Sequence, residues 1–158
     1  MIALLGDLAK RDDVLALSLH VDYWDYLGWK DRYALADNAV RQRRYARLGH
    51  VRGVYTPGFM VNGRGWRPGW FGNEPAGDTT RAGRLTVAVG NGRLTAHYDT
   101  GTPQAMPMEL HLAVLGMGLQ TEIRAGENAG RHSRHDFVVL GHQRLAGDGP
   151  QWSGPLPQ

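Results

Sequence analysis

Acidic and aromatic residues follow directly on the most apolar stretch of the chain. Val14–Val21 has the length and composition of a buried strand. Asp22, Tyr23 and Trp24 come immediately after it. Because ligands usually bind beyond the carboxyl ends of strands in open α/β sheets, we expect these three residues to line a binding surface. The alternative is that the aromatic side chains pack over the end of the sheet as core.

A second candidate surface surrounds a proline. Tyr55, Thr56 and Pro57 stand just before the apolar residues Phe59–Val61. Because proline cannot donate a backbone hydrogen bond, Pro57 is expected at the entrance of a strand. Phe59–Val61 is predicted to be that strand, with a two-residue hairpin turn at Asn62-Gly63.

Two residues are weak candidates for metal ligands. His20 and Asp22 alternate onto the same face of the predicted strand. Metal sites generally use three or four ligands and this pattern supplies two, so the alternative is a hydrogen-bonded structural histidine. His132 and His135 are three residues apart in a predicted loop or strand, and we interpret them as part of a solvated basic segment. No cofactor is predicted.

Composition excludes several classes of function. The chain has no cysteine, which rules out disulfides, thiol nucleophiles and zinc–thiolate sites. The formal charge of +3 is too small to indicate a nucleic-acid partner, and the arginines of residues 41–47 are interpreted as a solvated helix face. No apolar run approaches the roughly 20 residues of a membrane-spanning helix. No signal peptide is recognised.

The first half of the chain has helical and extended segments in alternation. Apolar periodicity predicts helices at Met1–Arg11 and Tyr33–Leu48, with Gly49 as the C-terminal cap of the second. A returning hairpin strand is expected at Arg64–Phe71. Gly72–Gly83 is a polar linker, so we predict two domains, residues 1–78 and 79–158.

The second half of the chain has the period of strands. The pattern predicts two hairpins and one further strand, at Leu85–Tyr98, Glu109–Ile123 and Phe137–Leu140. The residues from Gly147 onward are rich in glycine and proline and are expected to be loose. This domain is therefore predicted to be a small antiparallel, sandwich-like sheet structure.

Four segments carry a resemblance to a known family: L-L-G-D-L-A (4–9), H-V-D-Y-W-D-Y-L-G-W-K-D (20–31), V-Y-T-P (54–57) and G-E-N-A-G-R (126–131). On these segments the chain resembles a bacterial family of generally secreted thioredoxin-like proteins of unknown function. The resemblance implies an α/β thioredoxin-like domain followed by a β-rich domain, and a periplasmic or secreted location. It also implies a cis Thr56–Pro57 bond that presents backbone to an extended peptide.

The chain departs from the family pattern at its start. The family has an opening strand and a Cys-x-x-Cys motif just before the helix that here begins at Met1, and this sequence has neither. We therefore expect a truncated thioredoxin-like domain whose strands Val14–Val21 and Phe59–Val61 lack the strand between them.

The functional prediction is a redox-inactive thioredoxin-like protein. It is expected to bind an extended peptide or protein non-covalently through Tyr55, Thr56, Pro57, Asp22, Tyr23 and Trp24. No catalytic residue is nominated, and enzymatic activity is not expected without a cysteine. One alternative is a fragment of a thiol–disulfide oxidoreductase whose Cys-x-x-Cys lies upstream of Met1. A weaker alternative is a metal-binding protein that uses His20 and Asp22.

Overall fold

The computed structural model describes residues 2–68, 75, 77, 83–101, 108–125, 129–147 and 149–157, and strands form most of its regular structure. Within these residues the helices are α1 (Ile2–Leu8) and α2 (Ala36–Arg47), with a 3₁₀ turn at Asp25–Leu27. The strands are β1 (Phe59–Val61), β2 (Arg64–Trp66), β3 (Arg84–Gly90), β4 (Arg93–Asp99), β5 (Glu109–Gly116), β6 (Leu119–Glu122), β7 (His132–His135), β8 (Val138–Ala146) and β9 (Gln151–Pro155).

The chain divides into two compact units. Unit 1 comprises Met1–Asp78 and Gly116–Val138, and unit 2 comprises Thr79–Leu115 and Val139–Gln158. The division into domains 1–78 and 79–158 stays a prediction. The contacts place the later segment 116–138 with unit 1, so each unit is built from two stretches of the chain.

Helix α2 ends at the predicted cap. Gly49 has a φ of 73°, and its N–H donates to the Ala46 carbonyl at 3.1 Å. The His50 N–H donates to the Tyr45 carbonyl at 3.0 Å. These two bonds form a Schellman motif, which places a left-handed residue just after the helix and therefore favours glycine. The helix begins at Ala36, three residues later than the predicted start.

The predicted hairpin in unit 1 is confirmed. Strands β1 and β2 pair antiparallel around Asn62-Gly63, whose φ values of 48° and 78° are those of a two-residue turn with positive φ at both positions. Phe59 pairs with Trp66, and their rings meet edge to face with centroids 5.8 Å apart. The predicted continuation of the returning strand to Phe71 lies outside the described residues.

The apolar stretch before the aromatic residues is covered on one side. Ser18 forms an isolated parallel bridge with Val138, and its N–H donates to the carbonyl of Phe137 at 2.7 Å. Ala16 is buried, whereas Leu15 is 83% exposed and Leu17 is 41% exposed. Even-numbered side chains therefore face the protein and odd-numbered leucines face solvent.

This geometry overturns the predicted truncated thioredoxin-like α/β domain. The sequence predicts Val14–Val21 as a strand buried on both faces, but the described residues form small antiparallel sheets with little helix instead. An apolar run is buried on both faces only where other elements pack on both faces. Its composition gives no information about whether those elements are present, which is why the prediction is wrong.

Unit 2 contains a three-stranded antiparallel sheet in the order β3–β4–β9. The predicted hairpin around Asn91-Gly92 is confirmed, with Arg84 opposite Asp99 and Gly90 opposite Arg93. Strand β9 pairs with the other edge of β4. The core beside this sheet consists of buried apolar side chains, Leu94, Ala96, Leu110 and Trp152.

Two predictions for the second half of the chain are wrong. Glu109–Ile123 does not form a hairpin, because β5 pairs with β8 and β6 pairs with β7. The residues after Gly147 are not loose throughout, since β9 is a strand with Trp152 in the core. Adjacent strands with a glycine turn favour a hairpin locally, but long-range pairing determines the partners here.

Among the residues that the structure describes, no helix has both the length and the apolar character needed to cross a membrane.

Candidate binding site

A short loop in unit 1 connects the apolar stretch to helix α2. The N–H of Asp25 donates to the Asp22 carbonyl at 3.0 Å, and the N–H of Leu27 donates to the Trp24 carbonyl at 3.0 Å. Gly28 ends this turn with a φ of 93°, a conformation that glycine adopts without a Cβ penalty. The loop is therefore a compact turn and not an extended connection.

A hydrogen-bonded pair closes the loop at its two ends. His20 Nδ1 lies 2.5 Å from Asp31 Oδ2, and both side chains are mostly buried. The other carboxylate oxygen of Asp31 accepts a hydrogen bond from the Tyr33 N–H at 2.9 Å. The Asp31 N–H in turn donates to Asp25 Oδ1 at 3.3 Å. Asp31 thus fixes the loop through its side chain and its backbone.

Helix α2 holds the start of the loop. The His20 carbonyl accepts hydrogen bonds from the Asn38 side-chain amide at 2.8 Å and from the Leu35 N–H at 3.3 Å. Asn38 is buried, so this hydrogen bond satisfies a polar group that would otherwise be costly to bury. The loop therefore has a defined position relative to the helix.

Two further rings pack on this pair. The His135 ring lies 5.0 Å from the His20 ring and 6.0 Å from the Tyr33 ring, edge to face in both cases. We call His20, Asp31, Tyr33 and His135 the histidine cluster. Tyr33 also points its hydroxyl at the Gln120 carbonyl, 3.4 Å away, which links the loop to β6.

Burial and charge set the ionisation of the histidine cluster. Burial lowers the pKa of His135, and the positive charge of His20 lowers it further, although the carboxylates of Asp31 and Asp136 oppose the shift. Burial alone would raise the pKa of Asp31, but its hydrogen bonds with His20 and the Tyr33 N–H, together with nearby histidine charge, lower it overall. The folded state therefore favours neutral His135 and ionised Asp31.

These two pKa shifts predict that acid destabilises the fold. Each folded-state pKa lies below its unfolded value, so the unfolded state binds more protons as the pH falls. We expect the urea midpoint of unfolding to fall as the pH drops below about 6.5, the ordinary histidine pKa, and again below about 4, that of aspartate. The urea midpoint is measured by tryptophan fluorescence between about pH 3.5 and 8, in steps of roughly half a pH unit.

The histidine assignment is tested by His135→Gln, with His132→Gln as the control in the same strand. His132 is exposed, whereas His135 is half-buried. H135Q should reduce the fall in the urea midpoint that begins below about pH 6.5, and H132Q should leave that fall unchanged. A protein that becomes more stable between pH 7 and pH 5 would contradict the predicted sign.

The loop places Trp24 against the predicted proline segment. Trp24 Nε1 donates to the Thr56 hydroxyl at 2.9 Å, and the Thr56–Pro57 peptide bond is cis, as predicted. Trp24 is nevertheless 44% exposed, and the neighbouring Tyr26 is 75% exposed. The structure therefore fixes one edge of the indole and leaves part of its face accessible to solvent.

Gln42 of helix α2 joins the other predicted residues. Its side-chain oxygen accepts a hydrogen bond from the Tyr23 hydroxyl at 2.9 Å, and its side-chain nitrogen donates to the Tyr55 carbonyl at 2.6 Å. We call Tyr23, Trp24, Tyr55, Thr56 and Pro57 the aromatic surface. Gln42 thus links Tyr23 to Tyr55, and the separate hydrogen bond from Trp24 to Thr56 joins two more of the six predicted binding residues.

A shallow groove lies beside the aromatic surface in unit 1. It has a volume of about 470 Å³ and is lined by Val40, Arg43, Ala46, Arg47 and Val54. We call it the basic groove. The first four residues occupy one face of α2, and Val54 immediately precedes Tyr55 in the chain.

Arg43 connects the basic groove electrostatically to the aromatic surface. Burial raises the pKa of the Tyr23 hydroxyl, while the hydrogen bond to Gln42 and the charge of Arg43 act in the opposite direction. Arg43 of the groove therefore lies within electrostatic range of Tyr23. Val54 of the groove directly precedes Tyr55 in the chain, so the groove and the aromatic surface are neighbours.

Some predicted residues have other roles. Asp22 contributes its backbone carbonyl to the turn, and its place in a binding surface stays a prediction. His20 contacts Asp31 through Nδ1, so the weak metal hypothesis for His20 and Asp22 gains no support from this geometry. Within the described parts of the chain, no group of three histidine, aspartate or glutamate side chains is arranged to hold a metal ion.

Sequence reasoning missed three residues of the site. Gln42 is an ordinary helical residue by sequence, and Asp31 lies at the end of a string of aromatic residues without any motif. His135 lies over a hundred positions after His20 and was assigned to a solvated segment, which is wrong because it is half-buried against His20. Of these three residues, only Asp31 has a local sequence signal, because an aspartate at the end of a loop can form an Asx turn.

The fold and the site define a β-rich protein without thiols that has an aromatic candidate binding surface. The chain belongs to the family described as protein of unknown function (DUF1223), whose model matches residues 2–156. This match shows neither thioredoxin-like nor secreted character. No curated protein matches the chain.

A solved structure supports the fold. The chain is similar to the crystal structure of a protein from Agrobacterium tumefaciens, with 20% sequence identity and a TM-score of 0.66. The match covers 99% of this chain and 70% of that chain. At this identity the similarity shows the fold alone.

Proposed function

We propose that unit 1 binds an extended acidic and apolar segment of a partner protein at the aromatic surface and the basic groove. The observation that carries this proposal is the hydrogen bond from Trp24 to Thr56. It holds a partly exposed tryptophan beside the Tyr55–Pro57 backbone. A rigid, partly exposed aromatic side chain is the type of anchor that dominates the energy of protein interfaces.

The chemistry of the site favours a peptide over a small polar ligand. The floor of the basic groove is apolar, formed by Val40, Ala46 and Val54, and both valines are exposed to solvent. An apolar groove suits an extended segment, which contacts its partner through alternate side chains.

The positive charge of the basic groove favours an acidic partner segment. Arg43 and Arg47 are exposed and both line the groove, and guanidinium groups form strong paired hydrogen bonds with carboxylates. A segment that alternates aliphatic and acidic residues therefore matches both the floor and the rim. Binding is non-covalent, because the chain has no cysteine to form a mixed disulfide.

Replacing Trp24 with alanine is expected to weaken binding by about 2 kcal/mol, or roughly thirtyfold. The probe is a fluorescein-labelled ten-residue peptide of alternating valine and glutamate, and the measurement is fluorescence anisotropy with the full chain. Trp24→Phe keeps an aromatic ring but loses the N–H that bonds to Thr56, so its affinity should fall between those of the unmodified protein and W24A.

Charge is tested by a matched pair of variants on α2. Arg43→Glu and Arg44→Glu change the net charge equally, and both residues are exposed, but Arg43 lines the groove. We expect R43E to reduce binding and R44E to leave it close to that of the unmodified protein. Equal effects of R43E and R44E, or equal binding of the matched valine–lysine peptide, would overturn the proposal.

A further inference from the structure

A pair of histidines faces solvent in unit 2, outside the site described above. His111 of β5 and His142 of β8 lie on exposed positions of two neighbouring strands, while Leu110 beside them on β5 is buried in the core. His111 Nδ1 lies 3.0 Å from His142 Nε2. The ring centroids are 5.2 Å apart, and the ring planes differ by 23°.

The two nitrogens share a hydrogen bond, and their separation is also one that a shared metal ion can bridge. Two nitrogens bound to one ion at about 2.0–2.1 Å lie about 2.9 Å apart at a right angle and about 3.4 Å apart at the tetrahedral angle. The ring centroids are 5.2 Å apart, so the two nitrogens point almost directly at each other, and each ring must rotate by roughly 30° for both lone pairs to meet at one ion. The broad χ2 range of histidine permits such rotations at exposed positions. The two strands therefore hold the ligand atoms within reach of one ion.

The carboxylate of Glu109 lies near the ring nitrogen of His111 that does not contact His142. Glu109 Oε2 lies 3.6 Å from His111 Nε2, the ring nitrogen that faces away from His142. A histidine that binds metal through one nitrogen commonly donates its other N–H to a carboxylate, which fixes the tautomer and makes the ligand more basic. Arg144 Nη1 contacts the other oxygen of Glu109 at 3.2 Å and holds that side chain in place.

We infer that His111 and His142 form a binding site for a divalent transition-metal ion. Two imidazoles select borderline ions such as Cu²⁺, Ni²⁺ and Zn²⁺ over Mg²⁺ and Ca²⁺, and Cu²⁺ binds most strongly in this series. Because the described residues hold no group of three side-chain ligands, water completes the coordination. The exposed position of the pair leaves space for that water.

The test is titration of the full chain with Cu²⁺ by isothermal calorimetry at pH 7.5 in a non-coordinating buffer. We expect His111→Gln and His142→Gln each to weaken the strongest site about tenfold or more, since each leaves one imidazole. Glu109→Gln should weaken binding less than either. Electron paramagnetic resonance of the bound ion should show two nitrogen ligands in the unmodified protein and one in each histidine variant.

His97→Gln is the matched control. His97 is an exposed histidine on β4 of the same unit, and its removal should leave the affinity for Cu²⁺ unchanged. All three histidines are exposed, so the variants should keep the circular dichroism spectrum of the folded protein. Cu²⁺ affinity that is equal in H111Q, H142Q and the unmodified protein, or that falls as much in H97Q, would overturn the inference.

Discussion

Replacing Trp152 with alanine is expected to lower the free energy of unfolding of unit 2 by about 3–5 kcal/mol. Trp152 is 7% exposed and packs in the core with Leu94, Ala96 and Leu110. Its removal leaves a large cavity between strands that come from distant parts of the chain. Urea unfolding followed by circular dichroism, with amide hydrogen exchange in β4 and β9, measures the loss.

The matched control is Ser153→Ala in the same strand. Ser153 is exposed and pairs with Thr95 across β4, so S153A keeps the backbone hydrogen bonds of β9 and should change stability little. Trp152→Phe should be tolerated better than Trp152→Ala, because Trp152 Nε1 is buried without a hydrogen-bond partner among the described residues. If W152A were as stable as S153A, β9 would not belong to the core of unit 2.

Replacing Asp31 with alanine is expected to cost about 1.5–3 kcal/mol, the range of hydrogen bonds to a charged group. The variant loses the bond to His20 and leaves the Tyr33 N–H without its carboxylate acceptor. The loop that carries Trp24 should then become mobile, so peptide affinity should fall together with stability. Urea unfolding and the anisotropy titration measure the two effects on the same sample.

A double-mutant cycle separates the pair from its surroundings. If His20 and Asp31 act together, the loss in H20Q/D31A should be smaller than the sum of the losses in the single variants. Asp31→Asn keeps an acceptor for the Tyr33 N–H and should cost less than D31A. Additive losses would show that the contact between the two side chains contributes nothing to the position of the loop.

Local sequence signals predicted the local structure of this chain well. Asn62-Gly63 and Asn91-Gly92 both form the predicted hairpin turns, and Gly49 caps α2, because each depends on positive φ values at one or two residues. These conformations are determined within a few positions of the chain. They are therefore independent of how distant segments pack.

Long-range packing could not be predicted in the same way. The pairing of β5 with β8 and of β4 with β9 depends on which exposed edges meet, and no residue type specifies that choice. The same limit explains the thioredoxin-like prediction, which required a neighbour on each side of Val14–Val21. Trp152 was missed because glycine and proline around it indicated a loose segment, whereas two glycines here lie within or beside a strand.

The sequence predicted the aromatic residues of the candidate site, but it did not predict the polar residues that hold them in place. Trp24 and Thr56 carry large or unusual local signals and lie in contact in the structure. Gln42, Asp31 and His135 have common residue types and acquire their roles from neighbours that are distant in sequence. Burial and hydrogen-bond geometry, which only the fold provides, distinguish them from solvated residues.

Because each unit is built from two stretches of the chain, the order of synthesis also determines when its strands and side chains can pair. The hairpin of β1 and β2 can form soon after it leaves the ribosome, but the ring of His135 reaches His20 only after most of the chain has been made. Strand β9 emerges later still, so β4 keeps an open edge until then. At about 5–20 residues per second, the nascent chain exposes unpaired strand edges for several seconds, the interval in which such edges are prone to aggregate.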